Sequence, residues 1–341
     1  MLDMGMKMTS YEIHYLTSEE MAEMQSRGYR NRYLTGSEST KPVHEIFEID
    51  STCRIYLNKQ NSNTENLFSL AHCKGHLEFV NAHIKLKKLT KPRVTFDYVM
   101  SLYDQVEKEE LDHFIITIRE LAEICDSSKN PRYMNPLDYL YSQRQWFESW
   151  QLDLIKEITY EAEYFRTIQK TKLMNEGWAS YSQKETLKEM NLTTKEKLEI
   201  TQIEARLHYK PEEGLNYYSL GKALWSEVPV KHQDNVKKRF YDEQFIEQFY
   251  TEAVHLEEEV SVLLNQRDIN SFQNVKAHLV KYFKHHTPKV YVDQEATNET
   301  GYLTFRYMSP YQVDIDHLTN LKNRLEKILR QPIYIKPLNN K

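Results

Sequence analysis

Apolar positions change period twice along the chain, and the three stretches so marked off predict an α+β fold that is mainly α. Up to residue 63 the pattern is mixed. YEIHYL (11–16) alternates as a short strand does, SEEMAEMQSRG reads as a helix ended by Gly28, and HEIFEID with CRIYL forms a pair of strands. Ser18, ahead of Glu20 and Glu23, is placed to cap the free amides of that helix, where acids suit the first turn.

From residue 64 to 284 apolar residues recur at three- and four-residue spacings, as in LDHFIITIRELAEIC and QLDLIKEITYEAEYF, which predicts a large helical body. Breaks fall at Lys91-Pro92, in SSKNPRYMNP (127–136), near Asn191, in KPEEG (210–214) and around Pro229. Alternation returns after residue 285: KVYVDQ and YLTFRYM read as strands, DHLTNLKNRLEKILRQ as an amphipathic helix, and IYIKPL as a last strand. The chain is therefore read as a mixed N-terminal segment (1–63), a helical core (64–284) and a small C-terminal β-β-α-β domain (285–341), with a hinge at His285-His286-Thr287-Pro288.

Composition narrows the chemistry. Forty-five basic residues against fifty acidic ones leave a net charge of -5, and the short basic runs KLKK and VKKR sit inside charged helical sequence, so no nucleic-acid partner is expected. Eight glycines make few tight loops, and neither GxGxxG nor GxxxxGK[ST] occurs, which removes the standard nucleotide-binding folds. No stretch has the roughly 18 apolar residues of a membrane span. No signal peptide is visible at MLDMGMKMTSYEIHYL, and Cys53, Cys73 and Cys125 are too few and too scattered for a disulfide scaffold, so a cytoplasmic protein is expected.

Two segments carry candidate chemistry. In AHCKGHLEF (71–79), His72 and His76 are four apart, which puts both imidazoles on one helix face at the spacing used to hold one metal ion. In KLMNEGWASY (172–181), Glu176 lies in a local sequence similar to that around the glutamate ligand of gluzincin metalloproteases, some of which carry NEGxASY. Together they predict a site of His72, His76 and Glu176, for zinc or another divalent transition metal, with Cys73, Lys172, Asn175 and Trp178 around it. In HExxH proteases a glutamate follows the first histidine and activates water; Cys73 stands there in this chain. Glu78 would point to another face, which leaves Glu161 or Glu163 as the candidate base. His208, just before a Pro/Gly break, is a candidate fourth ligand or oxyanion donor.

Taken in order, these pieces resemble the stage V sporulation protein R (SpoVR) family. AHCKGHLEF is similar to its AH-x-x-GH-x-x-F segment, and QKTKLMNEGWASY to its signature Q-T-K-x-M-N-E-G-W-A. LHYKPEEGLNYYSLGKALW resembles H-x-x-V…Q-P…L-N-P-Y-x-L-G, and DEQFIEQF resembles D-x-x-F-I-x-x-F. The chain departs from the family at several points: no H-W-S-F-G-K segment is recognisable between residues 30 and 45, Tyr181-Ser182 replaces W-H, and Asn216-Tyr217-Tyr218 replaces N-P-Y. The resemblance implies a link to spore-cortex, that is peptidoglycan, metabolism, with a cell-wall precursor or a protein as partner.

Two readings follow. In one the chain is a zincin-like hydrolase of peptide or amide bonds, with Glu161 and His208 in catalytic roles. In the other it is a non-catalytic regulatory or assembly factor, in which the same residues form a structural metal site or a buried polar network.

Overall fold

A computed structural model of the chain describes residues 11–27, 45–92, 96–125, 130–207, 215–260, 262–264, 267–284, 289–308 and 315–338. It is α+β and mainly helical, with small mixed sheets. Two compact units interleave along the chain. One is Met1–Lys91 with Thr167–Val280, the other Pro92–Arg166 with Lys281–Lys341. The expected hinge at 285–288 and the expected stop at Gly28 lie outside the described residues.

In the first unit, strands β1 (Tyr11–Leu16), β2 (Glu45–Glu48) and β3 (Cys53–Asn58) form a three-stranded sheet in the order β1-β3-β2. β1 runs parallel and β2 antiparallel to β3, with Ile13 opposite Ile55 and Phe47 opposite Ile55 on the other side. The helix after β1, Ser18–Arg27, starts one residue earlier in its capping than the sequence suggests. Thr17 Oγ1 accepts from the Glu20 amide (3.2 Å) and Glu20 Oε2 accepts from the Thr17 amide (2.7 Å), a reciprocal capping box. Ser18 instead donates to Gln60 and accepts from Asn58, tying the helix to the end of β3.

Behind this sheet comes the long helix Asn63–Ala82, the His72 helix. Its start is fixed by a second capping box between Ser62 and Glu65, a feature worth about 1 kcal/mol. Lys172–Lys188 forms the Glu176 helix and Tyr217–Glu227 the Tyr218 helix. The latter opens at Asn216, as expected, with the Asn216 carboxamide accepting from the amides of Tyr218 and Ser219.

Three glycines let these helices approach. A Cβ on Gly75 would fall 2.6 Å from the Ala179 Cα, and one on Gly177 would overlap the backbone of Gly221. The Glu176 helix is thus held by small-residue contacts to the His72 helix on one side and the Tyr218 helix on the other. Trp225, fully buried, seals the second contact: its ring lies 5.0 Å from Trp178 and 4.9 Å from Phe245, and its indole donates to the Met174 carbonyl (2.9 Å).

In the second unit, strands Tyr133–Met134, Lys289–Asp293, Leu303–Met308 and Ile333–Pro337 form one sheet in that order. The first two pairings are antiparallel and the last is parallel. The expected C-terminal β-β-α-β order is present, with a short helix, Gln294–Thr300, between its first two strands. It shares a sheet and a core with earlier sequence: Leu318, Leu321 and Leu325 of helix Ile315–Leu329 belong to the same apolar cluster as Leu111, Phe114, Ile118 and Leu121 of helix Lys108–Ile124. Asp293, wholly buried, is neutralised by Arg132 (3.1 Å) and Arg306 (2.9 Å).

Candidate metal centre

The two histidines occupy successive turns of the His72 helix, with Gly75 between them on the face turned to the Glu176 helix. That close approach carries Glu176 up to both rings. One carboxylate oxygen, Oε2, lies 3.5 Å from His72 Nε2 and 3.6 Å from His76 Nε2. The three donor atoms all fall within 4.8 Å of one another. Ligands about 2.0–2.1 Å from a tetrahedral ion stand roughly 3.3 Å apart, so a divalent ion fits between these atoms with little movement.

The donors are also prepared for an ion. Both rings are almost fully buried, at 2 % and 5 % exposure. Neither ring nitrogen of His72 has a hydrogen-bond partner. A buried imidazole with both nitrogens unpaired is costly, and a metal bond to Nε2 would remove part of that cost. His76 is oriented from behind by the Asn175 side-chain oxygen, 3.0 Å from Nδ1. That bond places the proton on Nδ1 and leaves the lone pair on Nε2, the nitrogen that faces Glu176.

Electrostatics agree with the geometry. Burial alone would raise the Glu176 carboxyl, but His76, His72 and Lys172 together hold it down at about 2, so it is ionised. For His72 burial works against protonation, yet the Glu176 and Glu45 carboxylates lift it above the ordinary imidazole value. At His76 burial prevails and the value is lowered, with the neighbouring His72 adding to the effect.

Of the other expected residues, Asn175 touches the site directly. Lys172 contributes charge to Glu176 and lies 5.3 Å over the Tyr217 ring. Trp178 packs behind, its indole donating to Glu78 (3.2 Å) and Lys237 sitting 3.8 Å over its ring. Cys73 is buried, and burial pushes its thiol well above the usual value, so it is a neutral group outside the set of clustered donors. Glu161 belongs to the second unit, where both its oxygens are taken by Arg119 at 3.1 and 3.2 Å. Glu163, on the same helix, pairs with Arg166. His208 lies outside the described residues.

The structure adds four residues that the sequence reading assigns no role. Tyr218 places its ring 5.7 Å from His72, and its phenol, facing the Glu176 charge, is raised well above the usual value. Gln183 donates to the Phe68 carbonyl (2.7 Å), and its side chain lies near enough to His72 to favour the charged ring without making a well-formed hydrogen bond to it. Asp242, fully buried, accepts from the Leu173 and Met174 amides (2.9 Å each), supplying the cap that Thr171 does not give the Glu176 helix. Glu45, from β2, receives a 2.5 Å hydrogen bond from Ser69 one turn before His72. The available signals were weak: an Asp opening DEQFIEQF, and a carboxylate within the alternating HEIFEID.

Comparison with known proteins places this architecture. The family model described as SpoVR like protein matches residues 122–306, more than half of the chain, and the chain belongs to that family. Glu176 and Asp242 fall inside the match, whereas the two histidines precede it. The chain is 21 % identical over 253 residues to the "Uncharacterized protein YcgB" of Escherichia coli (strain K12), an alignment covering 54 % of this chain and 50 % of that one. The chain thus spans about half the length of this curated relative. No solved structure matches it. No helix among the described residues is long and apolar enough to cross a membrane.

Proposed function

We propose that His72, His76 and Glu176 bind one divalent transition-metal ion, zinc or a close relative, and that the chain hydrolyses amide or peptide bonds with it. The observation that carries this reading is the orphaned His72. It is a buried imidazole that makes no well-formed hydrogen bond, 3.5 Å from an ionised carboxylate that a second imidazole also faces. Two imidazoles and one carboxylate are a common donor set for catalytic zinc, and such a set leaves a position open. An ion held there would polarise a carbonyl and raise the acidity of water.

The chain's own residues would then do the following. Asn175 keeps the His76 lone pair aimed at the ion. Tyr218, whose phenol stays protonated beside the Glu176 carboxylate, offers an O–H next to the site. Family membership favours a substrate from peptidoglycan metabolism, and action in the cytoplasm would make that substrate a precursor or a protein.

A second reading is supported by one specific observation. Where HExxH enzymes carry their base, this chain has Cys73, buried and protonated. In that reading the same ion is structural and the chain is a regulatory or assembly factor. The two are separated by incubating ion-loaded and chelator-stripped protein with peptides and muropeptide precursors and following the products by mass spectrometry. Cleavage by the loaded form alone supports the hydrolase. A stably loaded protein that cleaves nothing supports the structural reading.

A further inference from the structure

We propose that Glu45 is the carboxylate that faces the metal centre from across the site and takes the proton of the attacking water, the role that the residue after His72 does not fill. This inference rests on the hydrolase reading above and names the residue that would make it work.

Two contacts fix β2 along the His72 helix. Ser69 Oγ donates to Glu45 Oε2 at 2.5 Å, and the Phe47 ring stacks on His76 with centroids 5.2 Å apart. Glu45 and Phe47 are two apart on a strand, so their side chains leave the same face. Ser69, His72 and His76 are successive turns of one helix face. The strand is therefore pinned at the two ends of the segment whose middle is His72, with the carboxylate at the Ser69 end, one turn before His72.

Besides these two contacts, the Glu45 charge acts on His72, His76, Cys73 and Tyr218. Yet Glu45 is outside the set of mutually close donor atoms. A carboxylate near a metal site but not among its ligands is in position to bind a water that the ion also holds. Ser69 anchors one of its oxygens, as a second hydrogen bond to a general base commonly does.

The step balances without any other reactant. One O–H bond of water breaks and its proton passes to Glu45, while the water oxygen forms a bond to the amide carbonyl carbon. As the C–N bond breaks, the same proton goes from Glu45 to the departing nitrogen. The products are a carboxylic acid and an amine, and Glu45 is again ionised.

The test is a crystal structure of the zinc-loaded full chain, together with zinc content and peptide cleavage of E45Q and E45D. The expected result is a water shared between the ion and a Glu45 oxygen, at about 2.6–3.2 Å from the latter. E45Q should keep the zinc stoichiometry and fold of the wild type, with cleavage lowered by roughly 100-fold or more, and E45D should recover part of it. Zinc bound with Glu45 turned away from the water, or cleavage unchanged in E45Q, would overturn the proposal and leave the metal site standing. Loss of zinc in E45Q would also overturn it by making Glu45 a ligand. A wild-type chain that binds no zinc would remove the metal reading, and this proposal with it.

Discussion

Asn175 holds His76 from behind: its side-chain oxygen lies 3.0 Å from Nδ1, and that bond is what turns Nε2 toward Glu176. The two neighbours in sequence, Asn175 and Glu176, thus address two sides of one imidazole. Removing the first should weaken ion binding without removing a ligand. Asn175→Ala is expected to lower zinc affinity about 10- to 100-fold, read by competition with a chelating dye, while Asn175→Asp retains most of it.

The close contact of Gly177 with Gly221 sets how deeply the Glu176 helix sits. A methyl group on either residue overlaps the other's backbone, and no side chain can move aside. Gly177→Ala and Gly221→Ala should each destabilise the chain by about 3 kcal/mol or more in denaturant titrations. The double variant should cost less than the sum, because both methyl groups force the same two helices apart.

Asp242 tests the other end of the same helix. It receives the Leu173 and Met174 amides in a fully buried setting, so Asp242→Ala leaves two buried donors without an acceptor. A loss of roughly 3 kcal/mol is expected by urea unfolding, and Asp242→Asn, which retains one acceptor oxygen, should lose less.

A pH dependence follows from His83, the residue that ends the His72 helix. It is fully buried, stacked on Phe79 (6.0 Å), with Nδ1 accepting from the Leu86 amide (3.3 Å). Burial holds it down at about 4, against 6.5 for an unperturbed imidazole. As pH falls below about 6.5 the unfolded chain takes up this proton first, so stability is lost between roughly pH 6.5 and 4, and no more is lost below that. The whole effect is up to about 3 kcal/mol. Urea midpoints measured at pH 7.5 and 4.5 should show it, and His83→Gln should flatten that part of the profile.

The fold class and the grouping of His72, His76 and Glu176 were legible in the sequence because both depend on local spacing. Four-residue separation puts His72 and His76 on one face whatever surrounds them, and NEGW marks a helix that something must approach closely. What approaches it was not legible: Gly221 lies 44 positions after Gly177, and nothing in the sequence pairs them. The helix Ile315–Leu329 shows its apolar stripe but not that helix Lys108–Ile124 covers it. Glu45 was missed for the same reason, since a carboxylate in a short strand reads as solvent-facing until the His72 helix is laid against it. Glu161 stands just before NEGW in the sequence, where a candidate base is expected, while its oxygens are held by Arg119, 42 positions earlier.

Whether His72, His76 and Glu176 hold an ion is read from bound metal, measured by elemental mass spectrometry on untagged, folded protein. About one zinc or other divalent transition ion per chain is expected in the wild type, lost in both His72→Ala and Glu176→Ala. A folded wild-type chain that carries no ion even after metal is supplied, or one whose ion survives in both variants, would contradict it.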